Sequence, residues 1–196
     1  MYWYEDEVKR LEKDSLSLGY APETLFYGSS SFRLWDTLCK DLAPLKPVNL
    51  GFGGSTLAAC VWFFDRVMML YQPKRLVIYA GDNDLGDGRS PEEVFLFFQE
   101  LMAKTNARFG NIPCYYVSLK PSIARWHMAD QFKYANSLIE TEIIKHNNNW
   151  QFINIFNAML DENGAPNKLY YGEDGLHLTL QGYEVWTQII GSSITA

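Results

Sequence analysis

Five short apolar runs, separated by longer stretches with apolar residues at helical spacing, constrain this chain more than any other feature. The runs are TLFYG at 24–28, PVNLGF at 47–52, RLVIYA at 75–80, IPCYYVSL at 112–119 and QFINIF at 151–156. Each has the length of a strand and is almost continuously apolar, the mark of strands buried on both faces. Between them, Leu57, Val61, Phe64, Val67, Met68 and Tyr71 share a helical face, as do Val94, Phe97, Phe98, Leu101 and Met102. The second of these stretches also has a start signal. Ser90-Pro91-Glu92-Glu93 puts serine at the cap, proline in the first turn and glutamate three residues on. Further helices are expected over 129–147 and after Thr179. Strand and helix alternating in this way predict an α/β fold: a five-stranded parallel sheet between helical layers, a three-layer α/β/α sandwich.

The 196 residues, 47% of them apolar, read as one domain spanning 1–196, with 1–21 as a helical extension packed outside the sheet. The formal charge of −6, without any run of Lys or Arg, argues against nucleic acid or an anionic membrane as partner. The opening residues MYWYEDEVKRLEKD are charged where a secretory leader would be apolar, so a cytoplasmic protein is expected. The longest apolar stretch, 57–64, is too short to span a bilayer, so no membrane insertion is expected. Cys39, Cys60 and Cys114 are odd in number and lie in apolar or helical settings, and read as buried free thiols. No His, Cys or carboxylate spacing resembles a metal-ligand set. No metal and no cofactor are expected.

Ligands of open parallel sheets bind where strands end and loops lead into helices. Gly28-Ser29-Ser30-Ser31 follows the first strand, Gly51-Phe52-Gly53-Gly54-Ser55-Thr56 the second, and Gly81-Asp82-Asn83-Asp84 the third. Two long loops, 120–128 and 157–178, complete this edge, and the second contributes Asp174-Gly175-Leu176-His177. Ester hydrolysis needs a hydroxyl nucleophile, a base to take its proton, a carboxylate behind the base and donors for the oxyanion. Of His127, His146 and His177, only His177 has a carboxylate at short spacing in a glycine-containing loop. Each piece also has a plainer reading. The glycines give backbone freedom, Asn83 suits a turn, and Ser29 or Ser31 can cap the next helix. Their coincidence on one sheet edge favours a site. A phosphate-binding module is the rival, but no Gly-x-x-x-x-Gly-Lys motif is present and position 56 is Thr where a dinucleotide fingerprint has its third glycine. A flavin-binding protein on the same architecture would leave Asp174 and His177 unexplained.

The four blocks, in this order, resemble the SGNH hydrolases, also called GDSL esterases and lipases, from Phe26 to about Trp186. The resemblance implies a flavodoxin-like fold and places the nucleophile at Ser30, with His177 as base and Asp174 behind it. It implies an oxyanion hole from the N–H groups of Ser30 and Gly54 and the side-chain amide of Asn83, and a helix after Ser30 whose dipole faces the developing charge. The expected activity is carboxylic ester hydrolysis through an acyl-enzyme on a small-molecule ester. Short acyl or acetyl esters, including those on carbohydrates, rank first, with lysophospholipids or thioesters as alternatives. A non-catalytic small-molecule or carbohydrate-binding protein on the same fold is the contrasting class. Trp62, Leu85, Trp126 and Leu176 are candidates to line the pocket, Trp126 beside Arg125 to hold a leaving group or to pack its loop. The oligomeric state is not legible. Two positions depart from the family pattern: Ser29 and Ser55 stand where Asp is usual, and are expected to form one local hydrogen-bonded unit.

Overall fold

The structure is a computed structural model that describes residues 1–146 and 149–195. Its strands are β1 (Thr24–Gly28), β2 (Pro47–Gly51), β3 (Arg75–Tyr79), β4 (Cys114–Val117) and β5 (Trp150–Ile153). All neighbours pair in parallel, in the order β2-β1-β3-β4-β5. Gly28 stands level with Gly51 on one side and Tyr79 on the other. The first three strands therefore end in one row, and the reversal of strand order between β1 and β3 opens a crevice there.

The helices are α1 (Glu5–Leu16), α2 (Ser30–Arg33), α3 (Leu38–Asp41), α4 (Leu57–Met68), α5 (Asp82–Gly86), α6 (Pro91–Phe109), α7 (Ala129–His146) and α8 (Leu180–Thr195). Successive strand residues point to opposite faces, so β1 feeds two cores. Leu25 and Tyr27 join Phe63, Phe64, Phe98 and Ile139 of α4, α6 and α7. Phe26 joins Phe32, Trp35, Trp186 and Ile190 on the other face. Capping of α6 follows its start signal: Ser90 Oγ accepts from Glu93 N, and Glu93 Oε2 from Ser90 N. Helix α1 lies outside the sheet against α4, where Arg66 pairs with Glu5 at 2.9 Å and Glu12 at 3.0 Å, while Val8 and Leu11 are buried. No helix among the described residues is long and apolar enough to cross a membrane.

Some expectations shift. The fourth apolar run outlasts its strand, because Leu119 leaves the ladder for Asn136 of α7, whose amide accepts from its N–H at 2.7 Å and donates to its carbonyl at 3.0 Å. The fifth strand begins one residue earlier than expected and stops at Ile153; beyond it Ile155 N donates to Ser118 Oγ. Residue 147, the expected end of the fourth long helix, lies outside the described residues. The helix after Ser30 is a single turn. Asn49 Nδ2 donates to Phe32 O at 2.6 Å, and a Cβ on Gly51 would stand 2.3 Å from Arg33 N, so the turn is tied onto β2. A single turn sums few peptide dipoles, and the expected dipole stabilisation is correspondingly small. Cys60 and Cys114 are buried free thiols, but Cys39 is exposed, because Leu38 is the residue α3 turns into the core.

Candidate active site

At the end of β1 the chain runs so close to β3 that a Cβ on Gly28 would lie 1.8 Å from Tyr79 O. Ser29 N donates to the same carbonyl at 2.9 Å, and Ser30 opens α2 with its side chain at the sheet edge. His177 Nε2 lies 3.1 Å from Ser30 Oγ, and His177 Nδ1 lies 2.5 Å from Asp174 Oδ2. Residues 147 positions apart thus meet in one hydrogen-bonded row.

The Asp174–His177 spacing works because the loop folds on itself. Asp174 Oδ1 accepts from Leu176 N and His177 N, both at 2.9 Å, leaving Oδ2 for the imidazole. Gly175 turns the chain at φ +62°, buried where a Cβ would meet Ile123 Cβ at 3.1 Å, and its carbonyl accepts from Ala124 N at 3.0 Å. Burial pushes the Asp174 carboxyl up, but the two backbone N–H groups and the imidazole outweigh it and hold it at about 2.

Gly54, at φ +65° and exposed, belongs to the loop beyond β2. Asn83 Nδ2 donates to Ser55 O at 3.0 Å, while its Oδ1 accepts from Arg125 Nη2 at 3.0 Å. A guanidinium only donates, so Arg125 fixes which way the amide faces: oxygen toward Arg125, NH₂ toward Ser55 O. Arg125 Nη1 also donates to Asp82 O at 3.0 Å. The buried Asp82 carboxylate lies 3.5 Å from Arg125 and 3.9 Å from Lys120, which is itself 1% exposed. Burial pushes the Lys120 amine down, and the carboxylate of Asp82 opposes that shift. The N–H groups of Ser30 and Gly54 meet no protein acceptor among the described residues, and one amide hydrogen of Asn83 is left over. Asp84, the last residue of this block, caps α4 from across the crevice: Leu57 N donates to its Oδ2 at 2.5 Å and Ala58 N to its Oδ1 at 3.4 Å.

Ser30, Gly54, Asn83, Asp174 and His177 therefore sit on the strand-end edge, with a continuous bonded row only from Ser30 to Asp174. Ser29 and Ser55 do not form the expected unit. Ser55 Oγ donates to Gly28 O at 3.0 Å, whereas Ser29 Oγ is buried with no hydrogen-bond partner among the described residues. Ser31 is buried, and its carbonyl accepts from Tyr183 OH. Leu85 offers no surface to a ligand, being fully buried in the core; the short helix that brings the Asn83 amide to Ser55 O turns Leu85 into that core. Trp126 packs partly buried against the same core. Leu176 is half-buried beside His177, and Trp62 is 68% exposed on α4. His127 is exposed, and His146 pairs with Glu142 at 3.1 Å. Among the described residues no cluster of three or more His, Cys, Asp or Glu is placed to hold a metal ion. Sequence reasoning missed Arg125 as the partner of Asn83, a contact 42 positions apart with no local signal.

Several solved structures share the architecture at low identity. A proposed acylhydrolase from Bacteroides fragilis is 20% identical over 95% of each chain, with a TM-score of 0.81. A GDSL-like lipase from Bacteroides thetaiotaomicron is 22% identical, covering 96% of this chain and 97% of its own, with a TM-score of 0.78. A mutant acetyl esterase with an acetate ion is 14% identical, covering 88% of this chain and 95% of its own, with a TM-score of 0.70. No curated protein matches the sequence. The family model of the GDSL-like lipases and acylhydrolases matches residues 14–185, beginning within α1 and taking in all five strands and all four blocks of the site. On that match the chain belongs to the GDSL-like lipase/acylhydrolase family, whose members are hydrolases acting on esters.

Proposed function

We propose that the protein is a serine esterase that hydrolyses short acyl esters, acetyl esters first, through an acyl-enzyme. The observation that carries this reading is the row Ser30 Oγ, His177 Nε2, His177 Nδ1, Asp174 Oδ2, with separations of 3.1 and 2.5 Å at its two hydrogen bonds. As Ser30 Oγ attacks the ester carbonyl, His177 takes its proton, and the carboxylate of Asp174 stabilises the imidazolium. Charge moves to the carbonyl oxygen, where the unclaimed N–H groups of Ser30, Gly54 and Asn83 supply donors. The tetrahedral adduct collapses, the alcohol leaves with the proton from His177, and Ser30 keeps the acyl group. Water then attacks with His177 as base again, releasing the acid.

Two observations support a small acyl group on a larger alcohol. Gly54 and Asp174 are exposed, so the edge opens directly to solvent and leaves room for a hydrophilic alcohol such as a sugar. The acetyl esterase with an acetate ion shares the fold. The test is p-nitrophenyl acetate hydrolysis by the wild type, Ser30→Ala and Ser29→Ala, followed by an acyl-length series and acetylated sugars. Ser30→Ala is expected to lose at least about 10³-fold in kcat, and Ser29→Ala to stay within about threefold of wild type, its hydroxyl having no partner to lose. Wild-type turnover by Ser30→Ala would remove Ser30 as nucleophile. A wild type inactive on every ester would leave a binding protein on this fold.

A further inference from the structure

The N-terminal segment does more than bury apolar surface, for three of its side chains reach the last residue of β2 and the loop beyond it. Arg10 Nη2 donates to Gly51 O at 2.9 Å, Glu7 Oε2 accepts from Gly53 N at 3.2 Å, and Tyr4 OH donates to Gly54 O at 3.1 Å. The same Glu7 oxygen accepts from Arg33 Nε at 3.2 Å, and Arg33 ends the turn that Ser30 begins. One carboxylate oxygen thus ties together the loop that carries Gly54 and the turn that carries Ser30. Burial pushes the Glu7 carboxyl up, but the Gly53 N–H and the guanidiniums of Arg10 and Arg33 outweigh it and keep it ionised below the usual carboxylate range.

The loop needs such ties. Gly53 and Gly54 are consecutive, and glycine loses more backbone freedom on ordering than any other residue. The bond that closes the loop, Ser55 N to Phe52 O, is long at 3.4 Å. A Cβ at Gly54 would meet nothing within 4 Å, so packing does not hold it. The N–H of Gly54 belongs to the peptide between residues 53 and 54. Glu7 grips the peptide plane before it, through Gly53 N, and Tyr4 grips the plane after it, through Gly54 O. With both neighbours pinned, the middle plane has little freedom to rotate.

We propose that Tyr4 and Glu7 are positioning residues for acyl transfer, holding the 53–54 peptide so that the Gly54 N–H faces the developing oxyanion. This rests on the acyl-transfer reading of Ser30, Asp174 and His177. Neither side chain touches the substrate.

The test uses the full chain with Tyr4→Phe, Glu7→Met, the double variant and Glu7→Gln. Phenylalanine keeps the ring against Phe52 and Phe63 and removes only the hydroxyl. Methionine keeps the stem of Glu7 and removes the acceptor, whereas glutamine restores an oxygen for Gly53 N. Each of the first two is expected to lower kcat on p-nitrophenyl acetate by about tenfold and the double by about 10²-fold, the scale on which misplaced groups slow a reaction. KM is expected to hold within about twofold, and Glu7→Gln to recover most of the loss. Phenylboronic acid supplies a readout that stability alone does not move. Its boron gains a bond from Ser30 Oγ as His177 takes the proton, making a tetrahedral anion, and its inhibition constant should rise by the factor that kcat falls. Folded variants, by circular dichroism, with wild-type kcat and boronate affinity would overturn the positioning role and leave acyl transfer standing. A wild type that neither turns over nor is labelled at Ser30 by a fluorophosphonate would overturn acyl transfer, and this role with it.

Discussion

Asp174→Asn is a near-isosteric change whose consequence can be worked from the hydrogen bonds around the carboxylate. Oδ1 accepts from two backbone N–H groups, and Oδ2 faces the imidazole. An asparagine must choose. If its oxygen keeps the two backbone donors, its NH₂ faces His177 Nδ1, which then has to be the unprotonated nitrogen. The ring proton moves to Nε2, points at Ser30 Oγ, and His177 can no longer accept the serine proton. The opposite choice restores the active tautomer but sets the NH₂ against two N–H donors. That forfeits two hydrogen bonds at about 1 kcal/mol each, plus some repulsion, so about 2–3 kcal/mol in all. The inactive orientation is therefore favoured by roughly 10²-fold. The lost charge behind the imidazolium adds only about tenfold, because Asp174 is half-exposed and water screens it. The product is a fall of roughly 10³-fold in kcat, with KM nearly unchanged. Turnover of p-nitrophenyl acetate near pH 8 measures the fall, and proton NMR of the imidazole follows the tautomer, since the downfield Nδ1–H signal of the wild type should vanish in the variant. A decline of less than about fivefold, or a large decline with that signal intact, would refute the reasoning.

The remaining predictions concern stability and its pH dependence. Ser55→Ala should cost about 1 kcal/mol in urea unfolding, because Ser55 Oγ bonds the buried carbonyl of Gly28; Ser29→Ala should cost nothing or add stability, because its buried hydroxyl has no partner. Equal losses from the two would contradict this asymmetry. Gly28→Ala should fold poorly or lose more than about 4 kcal/mol, since its Cβ would press on the backbone of Tyr79 at 1.8 Å; a soluble variant with an unchanged Tm would argue against that strand approach. Burial pushes the Asp84 carboxyl up to about 6 from its ordinary 3.8, against the N–H groups of Leu57 and Ala58 and the Arg89 guanidinium. A raised acid binds its proton more tightly when folded, so its stabilising contribution is complete below about pH 3.8 and lost as pH rises through about 6. Calorimetry from pH 4 to 7 should therefore show the wild-type Tm falling relative to that of Asp84→Asn. Parallel pH profiles for the two would refute the shift.

How much was legible in advance depends on how far apart in the chain the interacting groups lie. The apolar runs at 24–28, 47–52 and 75–80 match strands to within a residue, because burial on both faces leaves a continuous apolar signature. The run at 112–119 misleads at its end because Leu119 stays buried while its backbone turns to Asn136, and hydrophobicity cannot report who satisfies an amide. Leu85 shows the opposite error. An apolar residue two positions from Asn83 reads as pocket lining until the short helix is seen to bury Leu85 completely in the core.

The sequence by itself determined the layered parallel architecture, the edge on which the four blocks gather and the local Asp174–His177 turn. All three follow from short-range physics: burial periodicity, strand-end geometry and hydrogen bonds spanning two or three residues. The family resemblance already singles out Ser30 among the three serines; the tertiary structure supplies the reason, since the exit from β1 turns Ser30 Oγ toward His177 and buries Ser29 and Ser31. Only the tertiary structure decided that Arg125 orients Asn83, that Asp84 caps α4, and that Tyr4 and Glu7 grip the glycine loop. Each of these bonds joins residues more than 25 positions apart. Such contacts exist only after the sheet has aligned its strand ends, and a side chain that acts on a distant backbone group leaves no pattern in the residues around it.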